Sequence, residues 1–231
     1  MNERFLSVVI PVYNEASSIA EVIQKVAALG FVREVVVVDD GSNDGTTQFL
    51  KGANFGDRVR IFFHSKNQGK GAALRTGFKE VAGDIVAIQD ADLEYPPEEL
   101  LEATEPIRKG LADVVYGSRF CGGRPTRMYL FWHKIGNQFL TFVTNLLYNT
   151  TLTDMETGRK VFARRVLEQI EIQSKDFSVE PELTAKICKK GFRVYEVPVS
   201  YYGRSYAEGK KITWKHGFGA IWTLLKYRFT D

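Results

Sequence analysis

The chain has 231 residues, a length that fits one ordinary domain. Apolar residues make up 44% of it and charged residues 26%, values that exclude a disordered tail, a collagen and a coiled coil. With 31 basic and 28 acidic side chains, the formal net charge of +3 is too balanced for a dedicated nucleic-acid-binding protein.

Predicted strands and helices alternate along the chain. Short apolar runs predict strands at 6–12, 34–38, 59–63, 84–89 and 113–117. Helical spacing and helix-start residues predict helices at 17–29, roughly 44–52, after 69–71, near 97–109 and at 131–148. This alternation predicts an α/β fold with a mainly parallel central sheet and helices on both faces. Ligands of such sheets bind at the carboxyl ends of the strands.

The charges are unevenly distributed. Residues 1–100 carry 10 basic and 15 acidic side chains, whereas residues 186–231 carry 10 and 3. Clustered carboxylates can hold a metal ion, and a basic end can meet phosphates or an anionic membrane surface. A simpler interpretation of the basic end, solvation of a terminal helix, stays open.

Targeting signals are not evident in the sequence. Pro11 interrupts the first apolar run, which therefore predicts neither a signal peptide nor a membrane anchor. No window approaches the ~18 to 20 apolar residues of a spanning helix. The two cysteines, Cys121 and Cys188, cannot form a disulfide framework, so we expect a reduced, cytoplasmic compartment.

Carboxylates follow three of the predicted strands, at Glu15, at Asp39 with Asp40, and at Asp90 with Asp92. An Asp-x-Asp pair at a strand end can present oxygens to Mg²⁺ or Mn²⁺, which in turn bind a diphosphate. Glu94 could supply a further oxygen. The alternative is an ordinary acidic turn that caps the following helix.

Two other segments have the composition of phosphate sites. Residues 67–71 form a glycine-rich turn into a helix, which predicts either a phosphate cradle or a plain helix start. The segment is not a P-loop, and no GxGxxG follows the first strand. Residues 201–211 are dense in arginine, lysine and aromatic residues between glycines, which suits a flexible lid over a diphosphate or a lipid phosphate. A solvated loop is the alternative there.

Taken together, these motifs resemble family 2 glycosyltransferases of the GT-A fold, and among them the polyprenyl-phosphate sugar transferases of the dolichyl-phosphate mannose synthase type. The motifs that carry the resemblance are PVYNE at 11–15, VDDGS at 38–42, GKGAA at 69–73, QDADLE at 89–94, GSRF at 117–120, DMETG at 154–158, EPE at 180–182 and YGRSY with EGKK at 202–211. They cover nearly the whole chain, from about residue 5 to about 228.

The resemblance implies a role for each matching residue. Donor binding is implied for Pro11, Tyr13, Glu15, Val38, Asp40, Asp90, Ala91, Asp92 and Lys210, and metal binding of Mg²⁺ or Mn²⁺ for Asp92 and Glu94. Lipid-phosphate binding is implied for Arg119, Arg127 and Arg204, and catalysis for Asp92, Arg119 and Arg204. The chain departs from the family pattern at Glu94, Arg159 and His216, where glutamine, an aromatic residue and aspartate are common.

The implied reaction is inverting transfer of a hexose from GDP-mannose or UDP-glucose to dolichyl or undecaprenyl phosphate. A lipid phosphate is already anionic near neutral pH and needs no general base. Two alternatives stay open: transfer to a saccharide or protein hydroxyl with Asp154 or Glu156 as base, and a non-catalytic module that binds sugar nucleotides. In each case we expect one domain over 1–231, with a nucleotide-binding half at about 1–118 and an acceptor-binding, membrane-facing half at about 119–231.

The helix predicted at 131–148 carries an apolar stripe that suits a membrane surface. Its members are Phe131, Trp132, Ile135, Phe139, Phe142, Val143 and Leu146. A core-facing helix would show the same stripe, but aromatic residues and the basic C-terminal end favour an interfacial helix. We therefore expect peripheral association with the cytosolic face of a membrane.

Overall fold

A computed structural model describes residues 4–127, 130–204 and 215–230. Within these ranges, seven strands form one sheet in the order β3-β2-β1-β4-β6-β5-β7. The strands are β1 (Leu6–Val12), β2 (Val32–Asp39), β3 (Val59–Phe63), β4 (Ile85–Ile88), β5 (Val114–Ser118), β6 (Lys160–Ala163) and β7 (Val194–Pro198). The sheet is mainly parallel, as predicted, and only β6 runs antiparallel, against β4 and β5.

Helices cover the sheet. They are α1 (Ile19–Ala28), α2 (Thr46–Gly52), α3 (Lys70–Glu80), α4 (Leu100–Arg108), α5 (Phe131–Tyr148), α6 (Arg164–Leu167), α7 (Val179–Lys189) and α8 (Lys215–Phe229). Each predicted strand and helix has a counterpart, and α5 has the predicted bounds. The prediction missed β6, β7, α6, α7 and α8, all of which lie beyond residue 159.

The strands are apolar on both faces because each face of the sheet buries its own hydrophobic layer. Val8 and Ile10 of β1 pack on one side with Val22 of α1. Val9, which points the opposite way, packs on the other side with Leu74 of α3. Successive side chains of a strand alternate between faces, so a two-layered core needs near-continuous apolar runs.

The helices α5 and α8 pack against each other at one end of the sheet. Leu140 and Leu224 are buried between them, and the Tyr148 hydroxyl donates to the Leu224 carbonyl at 2.7 Å. In the part of the chain that the structure describes, neither these helices nor any other is both long enough and apolar enough to span a bilayer.

Candidate active site

The carboxyl ends of β1 and β4 lie side by side and bring three carboxylates together. Glu15 follows β1, whereas Asp92 and Glu94 follow β4. Between them lies the guanidinium of Arg204, which donates to the two Glu15 carboxylate oxygens at 3.0 and 2.9 Å and lies 3.4 Å from Asp92 Oδ2. A cation at this position offsets the repulsion among the three carboxylates.

Backbone geometry fixes the two carboxylates after β4. Leu93 has a φ of 61°, a left-handed conformation that is costly for a residue with a branched side chain. The Glu94 N–H donates to Asp92 Oδ1 at 3.1 Å, and the Glu94 carboxylate accepts from the Tyr201 hydroxyl at 2.7 Å and the Arg204 N–H at 2.6 Å. The strained turn therefore links both predicted metal ligands to the segment that ends at Arg204.

The charges around Asp92 suit a divalent cation. Burial and the adjacent Asp90 and Glu94 carboxylates raise the pKa of Asp92 to about 7, because they disfavour a further negative charge. Carboxylate oxygens are the ligands that Mg²⁺ and Mn²⁺ prefer. In the described ranges, no group of three or more His, Cys, Asp or Glu side chains has an arrangement ready to hold a metal. The donor chemistry fits a metal, but Arg204 occupies the space among these carboxylates.

Asp39 and Asp40 are buried at the end of β2 and shape the turns around them. The Asp39 carboxylate accepts hydrogen bonds from the backbone N–H and the hydroxyl of Ser42. The Asp40 carboxylate accepts from the N–H groups of Gln68 and Gly69 and contacts a ring nitrogen of His64 at 2.6 Å. Contact between Asp40 and a nucleotide stays a prediction; its observed partners are the glycine-rich turn and His64.

The glycine-rich turn is covered by another loop. Gly69 has a φ of 96°, and a Cβ at this position would overlap the carbonyl oxygen of Lys175. The Ala72 N–H, in the first turn of α3, donates to that same carbonyl at 3.1 Å. These contacts favour the plain helix start over the phosphate cradle, because backbone already packs where an anion would bind.

Arg119 forms a closed ion pair with Asp154. Its Nε and Nη2 donate to the two carboxylate oxygens at 2.6 and 2.7 Å, and its backbone N–H donates to Asp154 Oδ2 at 3.1 Å. The guanidinium also lies 5.2 Å from the centre of the Tyr201 ring. Asp154 is fully buried and fully paired, so it is a poor general base; Arg119 reaches the same tyrosine that bonds Glu94.

Arg127 joins the same place from a third element. Its side chain donates to the Gly203 carbonyl at 2.9 Å, and its N–H donates to the Tyr201 carbonyl at 2.9 Å. The three predicted phosphate-binding arginines therefore converge on segment 201–204. Lys210 lies outside the described residues, as does most of the predicted basic lid.

The other predicted donor-binding residues lie along the same edge of the sheet. Pro11, Val38 and Ala91 are buried, so their side chains face the interior, and Tyr13 is half-buried. Only backbone atoms of the first two residues could face a nucleotide. Their contact with a donor stays a prediction.

Arg159, one of the departures from the family pattern, supports the segment after β4 from below. Its side chain is buried, donates to the Pro96 carbonyl at 3.0 Å and lies 5.6 Å from the Tyr95 ring centre. Burial lowers the pKa of this arginine to about 10. The position thus holds a structural cation rather than a group that faces the site.

Three charged residues behind the site were missed from the sequence. Lys70 of the glycine-rich turn lies 2.9 Å from Asp90 and 3.0 Å from Glu180, and Glu180 pairs with buried Lys160. The one available signal was the pair of glutamates in EPE at 180–182, where α7 turns toward the interior. Their partners lie about a hundred residues away along the chain, so no local spacing could identify them.

Comparison with known proteins agrees with this geometry. Residues 7–171 match the family described as Glycosyl transferase family 2. The chain is 30% identical to a dolichol-phosphate mannosyltransferase of Pyrococcus furiosus over 89% of its own length, and it spans 58% of that relative's length. It is 26% identical to a UDP-N-acetylglucosamine–dolichyl-phosphate N-acetylglucosaminyltransferase of Methanococcus voltae, over 97% of this chain and 96% of the relative.

Among solved structures, glucosyl-3-phosphoglycerate synthase of Mycobacterium tuberculosis, crystallised with Mn²⁺, UDP and phosphoglyceric acid, superimposes with a TM-score of 0.74. That likeness covers 99% of this chain and 80% of the synthase at 21% identity, and it confirms the predicted GT-A fold. The family match spans well over half of the sequence and includes the strand ends that carry Glu15, Asp90 and Asp92. The chain therefore belongs to glycosyl transferase family 2.

Proposed function

We propose that the chain is an inverting glycosyltransferase that moves a hexose from GDP-mannose or UDP-glucose to a polyprenyl phosphate. One observation carries the proposal: Arg119, Arg127 and Arg204 meet at segment 201–204, beside Glu94. Guanidinium groups bind phosphate oxygens through paired hydrogen bonds, so three of them suit a phosphate acceptor. Similarity to two transferases named for dolichol or dolichyl phosphate supports the same acceptor class.

The proposed roles follow from charge. The arginines would hold the acceptor phosphate in line with C1 of the donor sugar, and the phosphate itself would attack without a base. Asp92 and Glu94 would hold Mg²⁺ or Mn²⁺, which when bound offsets the negative charge that develops on the leaving diphosphate. The donor would contact Tyr13 and Glu15 after β1.

A second candidate function, transfer to a hydroxyl acceptor, is favoured by Glu156. Burial and the nearby Glu180 carboxylate raise the pKa of Glu156 to about 7, and its Oε1 atom is buried with no hydrogen-bond partner among the described residues. A carboxylate with such a pKa can accept a proton near neutral pH. Of the two bases predicted for this alternative, only Glu156 has an oxygen available.

The test is incubation of the protein with GDP-mannose, UDP-glucose or UDP-N-acetylglucosamine, detergent-dispersed polyprenyl phosphate and Mn²⁺ or Mg²⁺. We expect an acid-labile glycolipid from one donor. Because a phosphate acceptor needs no base, the Glu156→Gln variant should keep most of this activity, whereas a hydroxyl acceptor would lose about 10²- to 10⁴-fold. Transfer only to a saccharide or peptide hydroxyl would reject the phosphate acceptor.

The exposed faces of α5 and α8 support peripheral membrane binding. Six of the seven predicted stripe residues on α5 are exposed, Trp132 to 79%, while Val143 packs inward against the α5–α8 core. The α8 helix, which the prediction missed, exposes Phe218, Trp222, Leu225 and Phe229. Apolar surface of this extent usually marks an interaction site, and we propose that it meets the cytosolic leaflet where the lipid acceptor resides.

Flotation with liposomes tests this membrane proposal. We expect the protein to float with vesicles that contain anionic lipid, and less so at high salt, since basic side chains contribute about 1 kcal/mol each at an anionic surface. Replacing Trp132 and Trp222 by aspartate should abolish flotation. A matched control, Leu111→Asp, changes an exposed leucine just before β5 and should leave it intact. Wild-type protein that stays in the aqueous fraction with every lipid would reject the proposal.

A further inference from the structure

A buried chain of four charges ends at Asp90. The Lys70 ammonium lies between two carboxylates, 2.9 Å from Asp90 Oδ1 and 3.0 Å from Glu180 Oε1. The other Glu180 oxygen accepts a hydrogen bond from Lys160 Nζ. Three elements thereby meet behind the strand that carries the Asp-x-Asp pair: α3 supplies Lys70, α7 supplies Glu180 and β6 supplies Lys160.

Burial makes this chain of charges rigid. The Lys160 side chain is fully buried, and its ammonium also donates to the carbonyls of Met155 and Thr157 at 3.0 and 2.6 Å. The Glu180 side chain is only 4% exposed. Buried charges are tolerated when they are paired and hydrogen-bonded, and here two ammonium groups balance two carboxylates.

The far end of the chain is equally constrained. A Cβ at Gly158 would overlap Asp90 Oδ2, so the Asp90 carboxylate packs directly on the backbone of DMETG. Its opposite oxygen is held by Lys70. Asp90 also stands next to Asp92, and like charges in one site favour uptake of a proton unless a cation compensates. Lys70 is the cation in contact with Asp90.

We infer that Glu180 is a positioning residue, which acts through Lys70 to keep Asp90 ionised and fixed beside Asp92. A lysine ammonium on a flexible four-carbon stem has no preferred direction of its own. Held from one side only, Lys70 could turn away; held between Glu180 and Asp90, it stays in place. The inference rests on the proposed function in one respect, namely that Asp90 contacts the donor.

The substrate-side consequence is a defect in donor binding that passes through Lys70. Glu180→Gln and Lys70→Met should each weaken the binding of Mn²⁺·UDP or Mn²⁺·GDP, whichever the wild type binds, by at least about tenfold, measured by titration calorimetry without acceptor. The double variant should bind no more than about twofold worse than Lys70→Met alone. Coupling of this kind is the signature of residues that act in one network.

Two further variants separate positioning from folding. Glu180→Gln leaves the Lys160 ammonium buried without its carboxylate, so Glu180→Met/Lys160→Met replaces the whole pair by apolar side chains, an exchange that buried ion pairs often tolerate. It should fold and still show the binding loss. Asp113→Asn is the matched control, because Asp113 is a buried carboxylate paired with Arg165 and Arg193 at the opposite end of β5. It should lower thermal stability and leave nucleotide binding unchanged.

Each result decides the inference. Coupled losses in the Glu180 and Lys70 variants support it. Losses that multiply in the double variant, or normal binding by folded Glu180→Met/Lys160→Met, overturn it and leave the proposed function standing. A wild-type protein that binds neither nucleotide with Mn²⁺ overturns the proposed donor site and this inference together.

Discussion

Replacement of Asp92 by alanine is expected to reduce sugar transfer by at least about 10²- to 10³-fold, the range seen when one group that stabilises transition-state charge is removed. Asp92 stands between Asp90 and Glu94 in a buried site whose carboxylates raise its pKa, so it is the oxygen donor best placed for a divalent cation. The variant should also lose Mn²⁺ binding, measured by the paramagnetic resonance of the free ion.

The matched control for this prediction is Asp84→Ala. Asp84 is an exposed aspartate just before β4, whereas Asp92 follows the same strand, so both substitutions remove one carboxylate beside one strand. The control should keep wild-type activity and Mn²⁺ affinity. Normal turnover of Asp92→Ala, or of the wild type in excess EDTA, would refute the metal role.

The first half of the fold could be predicted from the sequence because its strands are long apolar runs. Strands β1 and β2 are covered on both faces, so almost every residue in them is apolar and the pattern is unmistakable. The glycines and carboxylates that follow them mark where each strand ends. The same logic located the site edge, since parallel strands bring their carboxyl ends together.

The second half was harder because charged residues lie in its interior. Strand β6 has four residues and begins with Lys160, and α7 contains Pro181 between two buried glutamates. Such segments resemble polar surface until their partners are known. Lys160 pairs with Glu180, 20 residues away, and Lys70 with Glu180, 110 residues away, so tertiary pairing makes these segments compatible with a core.

The site was located correctly at the sheet edge, but the partners of its side chains could not be foreseen. Asp154 could serve as a base by residue type, yet the bidentate contact with Arg119 occupies both of its oxygens. Arg204 was expected on a phosphate, and in this structure it lies instead on Glu15 and near Asp92. Composition gives the charges of a site; only the fold says which of them are paired.

The position of Arg204 leads to a prediction with opposite signs for two ligands. Arg204→Gln should tighten Mn²⁺ binding to the free protein at least about fivefold, because a positive charge a few ångströms from the metal position opposes the ion by roughly 1 to 4 kcal/mol. The same variant should bind polyprenyl phosphate about 10- to 150-fold more weakly, which corresponds to about 1.5 to 3 kcal/mol for a lost charge-assisted contact.

Mn²⁺ titration monitored by electron paramagnetic resonance and the KM for the lipid acceptor measure the two effects on one protein preparation. Arg124→Gln serves as control, since Arg124 is an exposed arginine paired with Glu102 and should change neither value. A general loss of structure would weaken both ligands, whereas surface charge alone would alter neither. Only an arginine that alternates between the carboxylates of the metal site and the acceptor phosphate would strengthen one ligand and weaken the other, so a parallel change in both would refute this dual role.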